Sequence, residues 1–228
     1  MKHRDEGYAL LQGKGLEVGA FNEPAALPDS CSVRYFDALD PQEAAKRFPE
    51  LDPSGFVPVD FIGDIDRRDL RQAGEAAYDF AIANHVIEHV ACPIAMIEDL
   101  FYLLSAGGRL AISAPDKRYT FDKERDLTSF AHLEREYREG VTEVDDAHYM
   151  DFLQHVAKHL FEEPGRDIAG DIAWVRSRRE HAHVWDSDSF LDFLEQCKRT
   201  LGIHFEVDYL DKGDANGIEC FAVLTKAN

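Results

Sequence analysis

The chain has 228 residues, of which 45% are hydrophobic, and this length fits one α/β domain with a complete core. Its formal net charge of −19 makes DNA or RNA an unfavourable partner, because a negative surface repels phosphate backbones. The start of the chain is polar and no apolar run is long enough to cross a bilayer, so the sequence predicts a cytoplasmic protein with no membrane partner. Its four cysteines are scattered and form no Cys-x-x-Cys pair, which predicts no structural zinc.

Strand and helix patterns alternate through the first half of the chain. Short apolar or alternating runs predict five strands, over residues 15–19, 32–37, 61–64, 78–84 and 109–114. The fourth run is continuously apolar, as expected for a central parallel strand that is covered on both faces. Helical spacing predicts helices over 41–48 and 85–104, the latter with a break at Pro93, and a tight turn over 106–108.

The pattern changes between residues 116 and 185, where charged and aromatic helical segments cover about 126–139 and 145–162. A capped helix over 187–201 and two strands over 203–209 and 218–225 then end the chain. The short loop between these strands implies antiparallel pairing. The sequence therefore predicts one domain over residues 1–228. Its fold is α/β, a Rossmann-like doubly wound seven-stranded sheet, mostly parallel with an antiparallel C-terminal strand, plus a helical lid insertion at about 116–185.

Two residues follow predicted strands at the edge where such sheets bind ligands. Gly19 comes directly after the first strand, and a glycine there lets the backbone approach a ligand closely. Asp37 ends the second strand, where a carboxylate can accept hydrogen bonds from both ribose hydroxyls. A tight turn beside a surface carboxylate would give the same pattern, so these two residues alone leave the function open.

Four motifs in order resemble those of class I S-adenosylmethionine-dependent methyltransferases, of the type 11, ubiquinone-biosynthesis-like family. They are Leu16-Glu17-Val18-Gly19-Ala20, Gly63-Asp64-Ile65, the run 78–90 that contains Asn84-His85-Val86-Ile87-Glu88-His89, and the Gly-Gly turn in 104–110. The resemblance covers about residues 14–115 and 187–225. It implies an S-adenosylmethionine-dependent methyltransferase, and the predicted terminal hairpin agrees with that fold.

The resemblance also implies a cofactor site. Its members would be Glu17, Gly19, Ala20, Asn22, Asp37, Asp64, Ile65, Asn84 and His85. By the family pattern, Gly19 and Ala20 approach the methionine moiety, and Asp37 holds the ribose. Asp64 and Ile65 then meet the adenine.

The glycine-rich loop departs from the family pattern Glu-x-Gly-x-Gly-x-Gly, because only Gly19 is present. Asn tolerates positive φ better than most residues, so we expect Asn22 to replace one glycine. The resemblance places the backbone of Asn84 near the ammonium end of the cofactor. Glu17 either contacts that end or orders the loop, and the sequence does not choose between the two.

An oxygen nucleophile needs a base near neutral pH, and histidine or a carboxylate suits that role. Candidates are His183 first and His89 second, with Asp116 as a further catalytic candidate. In an extended segment His181 and His183 would face the same way. They could act as base, acceptor clamp or metal pair, or stabilise the lid by hydrogen bonds.

A divalent cation is a further alternative. His85, Glu88 and His89 are spaced to share one helix face. The ubiquinone-type enzymes can hold a cation with two carboxylates and a histidine at the matching positions, but here His85 replaces the first carboxylate. A hydrogen-bonded pair of Glu88 and His89 is favoured, and no metal is predicted.

The acceptor is expected to be a small molecule beneath the lid, methylated on oxygen or nitrogen. Its contacts would include Arg118, Tyr119, His181 and Trp185. A sugar or secondary metabolite is the first choice and a phenol or quinone the second. The basic run at 175–179 is interpreted as a solvated or anion-contacting loop. A non-catalytic binding protein and a nicotinamide-dependent dehydrogenase remain as alternatives, and the oligomeric state is open, a homodimer included.

Overall fold

The computed structural model describes residues 1–162 and 165–227, and within them seven strands form one sheet. The strands are β1 (Gly13–Val18), β2 (Cys31–Asp37), β3 (Phe61–Ile62), β4 (Tyr78–Asn84), β5 (Leu104–Pro115), β6 (Phe205–Asp211) and β7 (Glu219–Lys226). Their order is β3-β2-β1-β4-β5-β7-β6, with β1 to β5 parallel and β7 antiparallel to both β5 and β6. The predicted fold class is confirmed.

The described residues form eight α-helices, and three of them are longer than ten residues. They are α1 (Lys2–Tyr8), α2 (Pro41–Arg47), α3 (Pro93–Leu103), α4 (Phe130–Glu139), α5 (Asp146–His155), α6 (Ile168–Arg178), α7 (Ser187–Leu201) and α8 (Gly213–Asn216), of which α3 and α6 have eleven residues and α7 fifteen. The sequence pattern did not indicate α1, α6 or α8. None of the described helices combines the length and apolarity that a membrane span needs.

Three predicted boundaries were wrong. The helix predicted over 85–104 begins only at Pro93, which suits the first helical turn because it lacks an N–H. The turn predicted over 106–108 lies within β5, where the pairing with β4 shifts register between Tyr78 and Phe80. The helix predicted to end at 162 stops at His155, and residues 163 and 164 of the predicted insertion lie outside the described residues.

Apolar side chains cover both faces of the sheet. On one face α3 and α7 pack their buried residues, among them Leu100 and Phe193, against the strands. On the other face α1 contributes Tyr8, which lies beside Phe80 and Phe221. Burial of each such side chain stabilises the fold by roughly 1.5–3 kcal/mol.

The lid has a small core of its own, formed by α5, α6 and the segments that flank them. Tyr149, Phe152, Leu153 and Val175 are buried there. The lid is also joined to the rest of the domain by apolar contacts, because Leu133 of α4 is buried in the main core and Ala91 belongs to the lid core. Polar contacts, described below, join it to the sheet edge as well. It lies over the carboxyl edge of the parallel strands.

Candidate active site

A cleft of about 480 Å³ lies at the carboxyl edge of the parallel strands. Six residues predicted from the sequence line it together: Gly19, Asp37, Asp64, Ile65, His85 and His89. The carboxyl ends of β1, β2 and β4 are neighbours in the sheet, which is why residues from distant parts of the chain meet here. A concave site of this volume fits a small ligand or cofactor.

The turn after β1 has two residues in the left-handed region. Gly19 has φ 68°, and a Cβ there would lie 2.7 Å from Cγ2 of Val86, so no larger residue fits without movement. The second is Phe21, with φ 53°, at the position where the family pattern has its next glycine. The prediction that Asn22 replaces a glycine was wrong, because Asn22 has no positive φ and does not line the cleft. The ring of Phe21 instead lines the cleft and packs edge-on against Phe48.

Glu17 lies behind this turn. Its carboxylate is buried and accepts hydrogen bonds from the backbone N–H of Ala25 at 3.0 and 3.2 Å. Burial raises the pKa of Glu17 to about 7. Of the two alternatives for Glu17, the geometry is that of a residue that orders the loop. Ala20 and Asn84 do not line the cleft either, and the side-chain amide of Asn84 donates to Tyr8 Oη at 2.8 Å.

Two carboxylates line the cleft at the ends of β2 and β3. Asp37 accepts a hydrogen bond from the backbone N–H of Leu39 at 3.3 Å. Burial raises the pKa of Asp37, although hydrogen bonds from the backbone oppose this effect. Asp64 accepts from the N–H of Asp66 at 3.1 Å through Oδ1, and from Nη2 of Arg179 at 2.7 Å through Oδ2. A carboxylate can accept about four hydrogen bonds, so both retain acceptor capacity towards a ligand.

The lid closes the cleft from the side opposite the sheet. Ser177, Arg178 and Arg179 line it, and Arg47 of α2 donates to the carbonyl of Ser177 at 3.1 Å. Arg178 also donates to Glu50 at 2.7 Å. The basic run therefore contacts anions as interpreted, but it is not a loop, because residues 175–178 lie in α6. Its anions are carboxylates of the protein itself, Glu50 and Asp64.

A buried carboxylate lies beside two histidines that line the cleft. Glu88 is 1% exposed, and neither carboxylate oxygen has a hydrogen-bond partner among the described residues. Ring nitrogens of three histidines surround its Oε1, those of His85 and His89 at 3.7 Å and that of His181 at 3.9 Å. Residues 85–89 are not an α-helix as predicted, since only Ile87–His89 forms a 3-10 turn, yet their side chains still converge.

Two of these histidines have a fixed ring orientation. His89 donates from Nδ1 to the carbonyl of Arg179 at 2.5 Å, which leaves Nε2 unprotonated in the neutral ring. Burial lowers the pKa of His89 to about 4. The ring of His181 contacts Asp122 at 2.6 Å through Nδ1. Glu88, His89 and His181 present ligand atoms within 4.8 Å of one another, so this group could hold a metal ion.

His85 connects the cleft to a buried network that the sequence did not indicate. Its Nε2 lies 2.7 Å from Glu219, which is fully buried at the start of β7. Arg4 and His3 of α1 reach the same carboxylate at 2.6 Å. Burial opposes the charge, but Arg4 and His85 hold the pKa of Glu219 well below its usual range. The one signal in the sequence was a carboxylate that begins an otherwise apolar strand.

Six of the seven predicted catalytic or acceptor residues do not line the cleft: Asp116, Arg118, Tyr119, His181, His183 and Trp185. Asp116 is fully buried and accepts hydrogen bonds from Arg118 at 2.7 Å and from Ser187 at 2.6 Å. Tyr119 is exposed and donates to Asp214 at 2.7 Å. These contacts fit a structural role at the junction between the sheet and the lid.

The histidine pair divides between two places. His181 contacts the cleft group around Glu88, whereas His183 is 1% exposed and faces Glu136 inside the lid. The expectation that both rings face the same way was wrong, because each lies against a different packed element. Trp185 is buried against Phe193 in the core, so its ring is not available for stacking on an acceptor.

A family model for a methyltransferase domain matches residues 31–197. The chain belongs to this methyltransferase family. The predicted class I methyltransferase, with S-adenosylmethionine as its cofactor, is thereby confirmed. The matched range contains Asp37, Asp64 and His89 and begins after the Gly19 turn.

Solved structures share the fold of this methyltransferase at low sequence identity. One is a protein from Rhodobacter sphaeroides named for zinc-dependent alcohol dehydrogenases, at 14% identity and a TM-score of 0.58, covering 100% of this chain and 90% of the other. Another is a protein from Methanococcus maripaludis named as an S-adenosyl-L-methionine-dependent methyltransferase, at 12% identity and a TM-score of 0.50, covering 99% and 85%. These likenesses show the fold alone. A comparison with curated proteins finds no significant match.

Proposed function

We propose that this methyltransferase transfers the methyl group of S-adenosylmethionine to an oxygen or nitrogen of a small molecule held between the cleft and the lid. The observation that carries the proposal is the meeting of Gly19, Asp37 and Asp64 at one cleft of about 480 Å³. When bound, the cofactor supplies a methyl group on a positively charged sulfur. The acceptor atom forms a bond to that methyl group as the carbon–sulfur bond breaks, and a proton leaves the acceptor.

The donor would be held by groups that match its parts. The Asp37 carboxylate accepts hydrogen bonds from the ribose hydroxyls, and the Gly19 turn allows close approach of the backbone. Asp64 and Ile65 contact the adenine. The fit is supported by the acceptor capacity that both carboxylates retain and by the absence of a side chain at Gly19.

His89 is the base that the geometry supports best. It lines the cleft, and its Nδ1 donates to the carbonyl of Arg179, so its Nε2 lone pair is free to accept the acceptor's proton. His183 was the first choice from the sequence, but it does not line the cleft. Asp116 directs its carboxylate to Arg118 and Ser187 and is better placed to hold the lid junction.

A sugar or secondary metabolite is proposed as the acceptor. The space beside His181 and the exposed ring of Phe121, whose centroids lie 4.7 Å apart, offers an apolar face next to polar groups. Sugars present such mixed faces. A phenolic acceptor would use the same ring.

Calorimetry and product analysis together test the proposal. We expect S-adenosylhomocysteine to bind wild type and to bind Asp37→Ala more weakly by about 1–3 kcal/mol. Asp208→Ala, whose carboxylate pairs with Arg109 away from the cleft, serves as the matched control. Mass spectrometry then detects methylated products among sugars, nucleotide sugars and phenols.

Each outcome separates the alternatives. Equal binding by the Asp37→Ala variant would remove the ribose assignment, and no binding to wild type would overturn the proposed function. Binding without turnover on any acceptor would favour a non-catalytic protein. Binding of a nicotinamide dinucleotide in place of S-adenosylhomocysteine would favour a dehydrogenase.

A further inference from the structure

We propose that the lid binds one zinc ion through four side chains: His132, Glu136, His148 and His183. The group is separate from the cleft, because none of its members lines it. It also differs from the group around Glu88. Three parts of the lid contribute these side chains. His132 and Glu136 lie on α4, His148 lies on α5, and His183 lies in the segment before α7.

The distances between the ligand atoms match a tetrahedral site. Nε2 of His132 and Nε2 of His148 lie 3.2 Å apart, and each lies 3.1 Å from Oε1 of Glu136. Zinc bonds of about 2.0 Å in a tetrahedron place neighbouring ligand atoms about 3.3 Å apart. Nε2 of His183 lies 4.0 Å from Oε2 of Glu136, and all four ligand atoms lie within 4.8 Å of one another. A small closure of the group would complete the tetrahedron.

Two members lack the hydrogen-bond partners that burial requires. His183 is 1% exposed, and neither of its ring nitrogens has a partner among the described residues. Glu136 is 8% exposed, and its Oε2 is also without a partner there. Buried polar atoms are almost always satisfied in native proteins, so unpaired atoms that converge on one point indicate a ligand.

Protons alone do not satisfy this group. Nδ1 of His148 lies 3.1 Å from the carbonyl of Ala182 and donates there, so a neutral His148 turns an unprotonated Nε2 towards the group. Arg135 donates to Nδ1 of His132 at 2.9 Å, which leaves that ring one proton on Nε2. Protonation of His148 lets its Nε2 donate to Oε1 of Glu136, but Oε2 of Glu136 and both ring nitrogens of His183 then still lack partners among the described residues. A cation serves the whole group, and the exposed Arg135 can then turn to solvent.

The chemistry of the ligands selects zinc. Three imidazoles and one carboxylate are a ligand set that zinc accepts in four-coordinate geometry. The contact from His148 to the Ala182 carbonyl is the outer-sphere hydrogen bond that usually orients a metal-bound histidine. All four positions are filled by protein, so the ion would be structural. By fixing His183 it would also hold His181, two residues earlier, at the cleft.

Zinc binding by the purified full-length chain tests the site. The protein is stripped with a chelator and titrated with zinc chloride in a calorimeter, and bound metal is counted by mass spectrometry of the element. We expect one ion per chain. Glu136→Gln and His183→Ala should each weaken binding by about 100-fold or more, because each removes a direct ligand. Cobalt in place of zinc should give the wild-type protein the visible absorption of a tetrahedral ion. Loss of this absorption in Glu136→Gln and His183→Ala would report the loss of a metal ligand, which a merely structural effect of the substitutions would not.

Two matched controls locate the ion. His155→Ala changes another lid histidine, on α5, that pairs with Asp151 outside the group, and it should leave zinc affinity unchanged. His181→Ala should also retain the ion, because that ring belongs to the group around Glu88. Circular dichroism checks folding, and His132→Ala, at a half-buried ring, decides the matter if the His183 variant does not fold.

Three results would overturn the proposal. They are no zinc binding to wild type at micromolar metal, loss of zinc in His181→Ala with retention in Glu136→Gln, and unchanged affinity in both His132→Ala and Glu136→Gln. The second result would assign the ion to the cleft instead.

Discussion

Arg179 of the lid donates a hydrogen bond from Nη2 to Oδ2 of Asp64 at 2.7 Å, across 115 residues of sequence. The contact joins the lid to the carboxylate that would face the adenine. Asp64 also accepts a hydrogen bond from the backbone N–H of Asp66, so the same side chain orders the sheet edge and binds the lid. Opening and closing of the cleft should therefore depend on this ion pair.

Removal of the guanidinium should loosen the lid. In Arg179→Gln we expect S-adenosylhomocysteine to dissociate several-fold faster, because a half-exposed charge-assisted contact contributes about 1 kcal/mol. Stopped-flow fluorescence measures the dissociation rate. Arg176→Gln is the control, since Arg176 pairs with Asp146 within the lid. Equal rates in the two variants would show that the Arg179–Asp64 contact does not hold the lid.

Gly19 and Gly107 offer a matched pair of glycines. Both have positive φ, at 68° and 74°, but a Cβ at Gly19 would lie 2.7 Å from Val86, whereas nothing lies within 4 Å of one at Gly107. Gly19→Ala should therefore be less stable than Gly107→Ala by about 1–3 kcal/mol and should bind S-adenosylhomocysteine more weakly. Urea unfolding and calorimetry measure the two effects. Indistinguishable variants would mean that Val86 yields and that the tight turn is not needed.

His89→Ala should separate catalysis from binding. Loss of the base should lower kcat by about 10²–10⁴-fold with the best acceptor, while the Kd of S-adenosylhomocysteine changes little. His155→Ala, in the lid and outside the cleft, is the control. A variant with wild-type kcat would exclude His89 as the base.

Asp116 should make stability depend on acid pH. Burial alone would raise its pKa, but hydrogen bonds from Arg118 and Ser187 lower it to about 2, beneath the ordinary value of 3.8. A depressed folded-state pKa stabilises the fold above the unfolded value, and this contribution is lost as pH falls from about 4 towards 2. Asp116→Asn should cost about 1–3 kcal/mol at pH 7, with a smaller difference from wild type in acid.

Urea unfolding at a series of pH values measures this effect. Asp214→Asn is the control, because that carboxylate is exposed and contacts the same arginine. If wild type and Asp116→Asn lose stability in parallel as pH falls, the carboxylate at 116 does not titrate as inferred.

The zinc proposal rests on side chains that no local pattern joined. The spacing of His132 and Glu136 on one helix was visible in the sequence, but the scattered cysteines led to the prediction of no structural zinc, and nothing linked α4 to His183. Only the packing of the lid brings these residues together, because their separation in the chain is far longer than one helix.

The sequence by itself determined the order of strands and helices and the positions of Gly19, Asp37 and Asp64. Apolar periodicity is local, and parallel strands end at a common edge, so residues that follow those strands had to meet. This is why the fold class and the cleft could be predicted before any contact was seen. The left-handed backbone conformation of Phe21 could not be predicted, since an aromatic residue rarely adopts φ 53° without support from its surroundings.

The tertiary structure decided how the lid returns to the sheet. It placed Arg179 on Asp64, divided His181 from His183 and buried Glu219 against α1. Each of these contacts joins residues that are far apart in the chain, and side-chain packing rather than local propensity selects them. A sequence pattern specifies which face of an element is buried, but the partner that covers it is set only when the whole domain has folded.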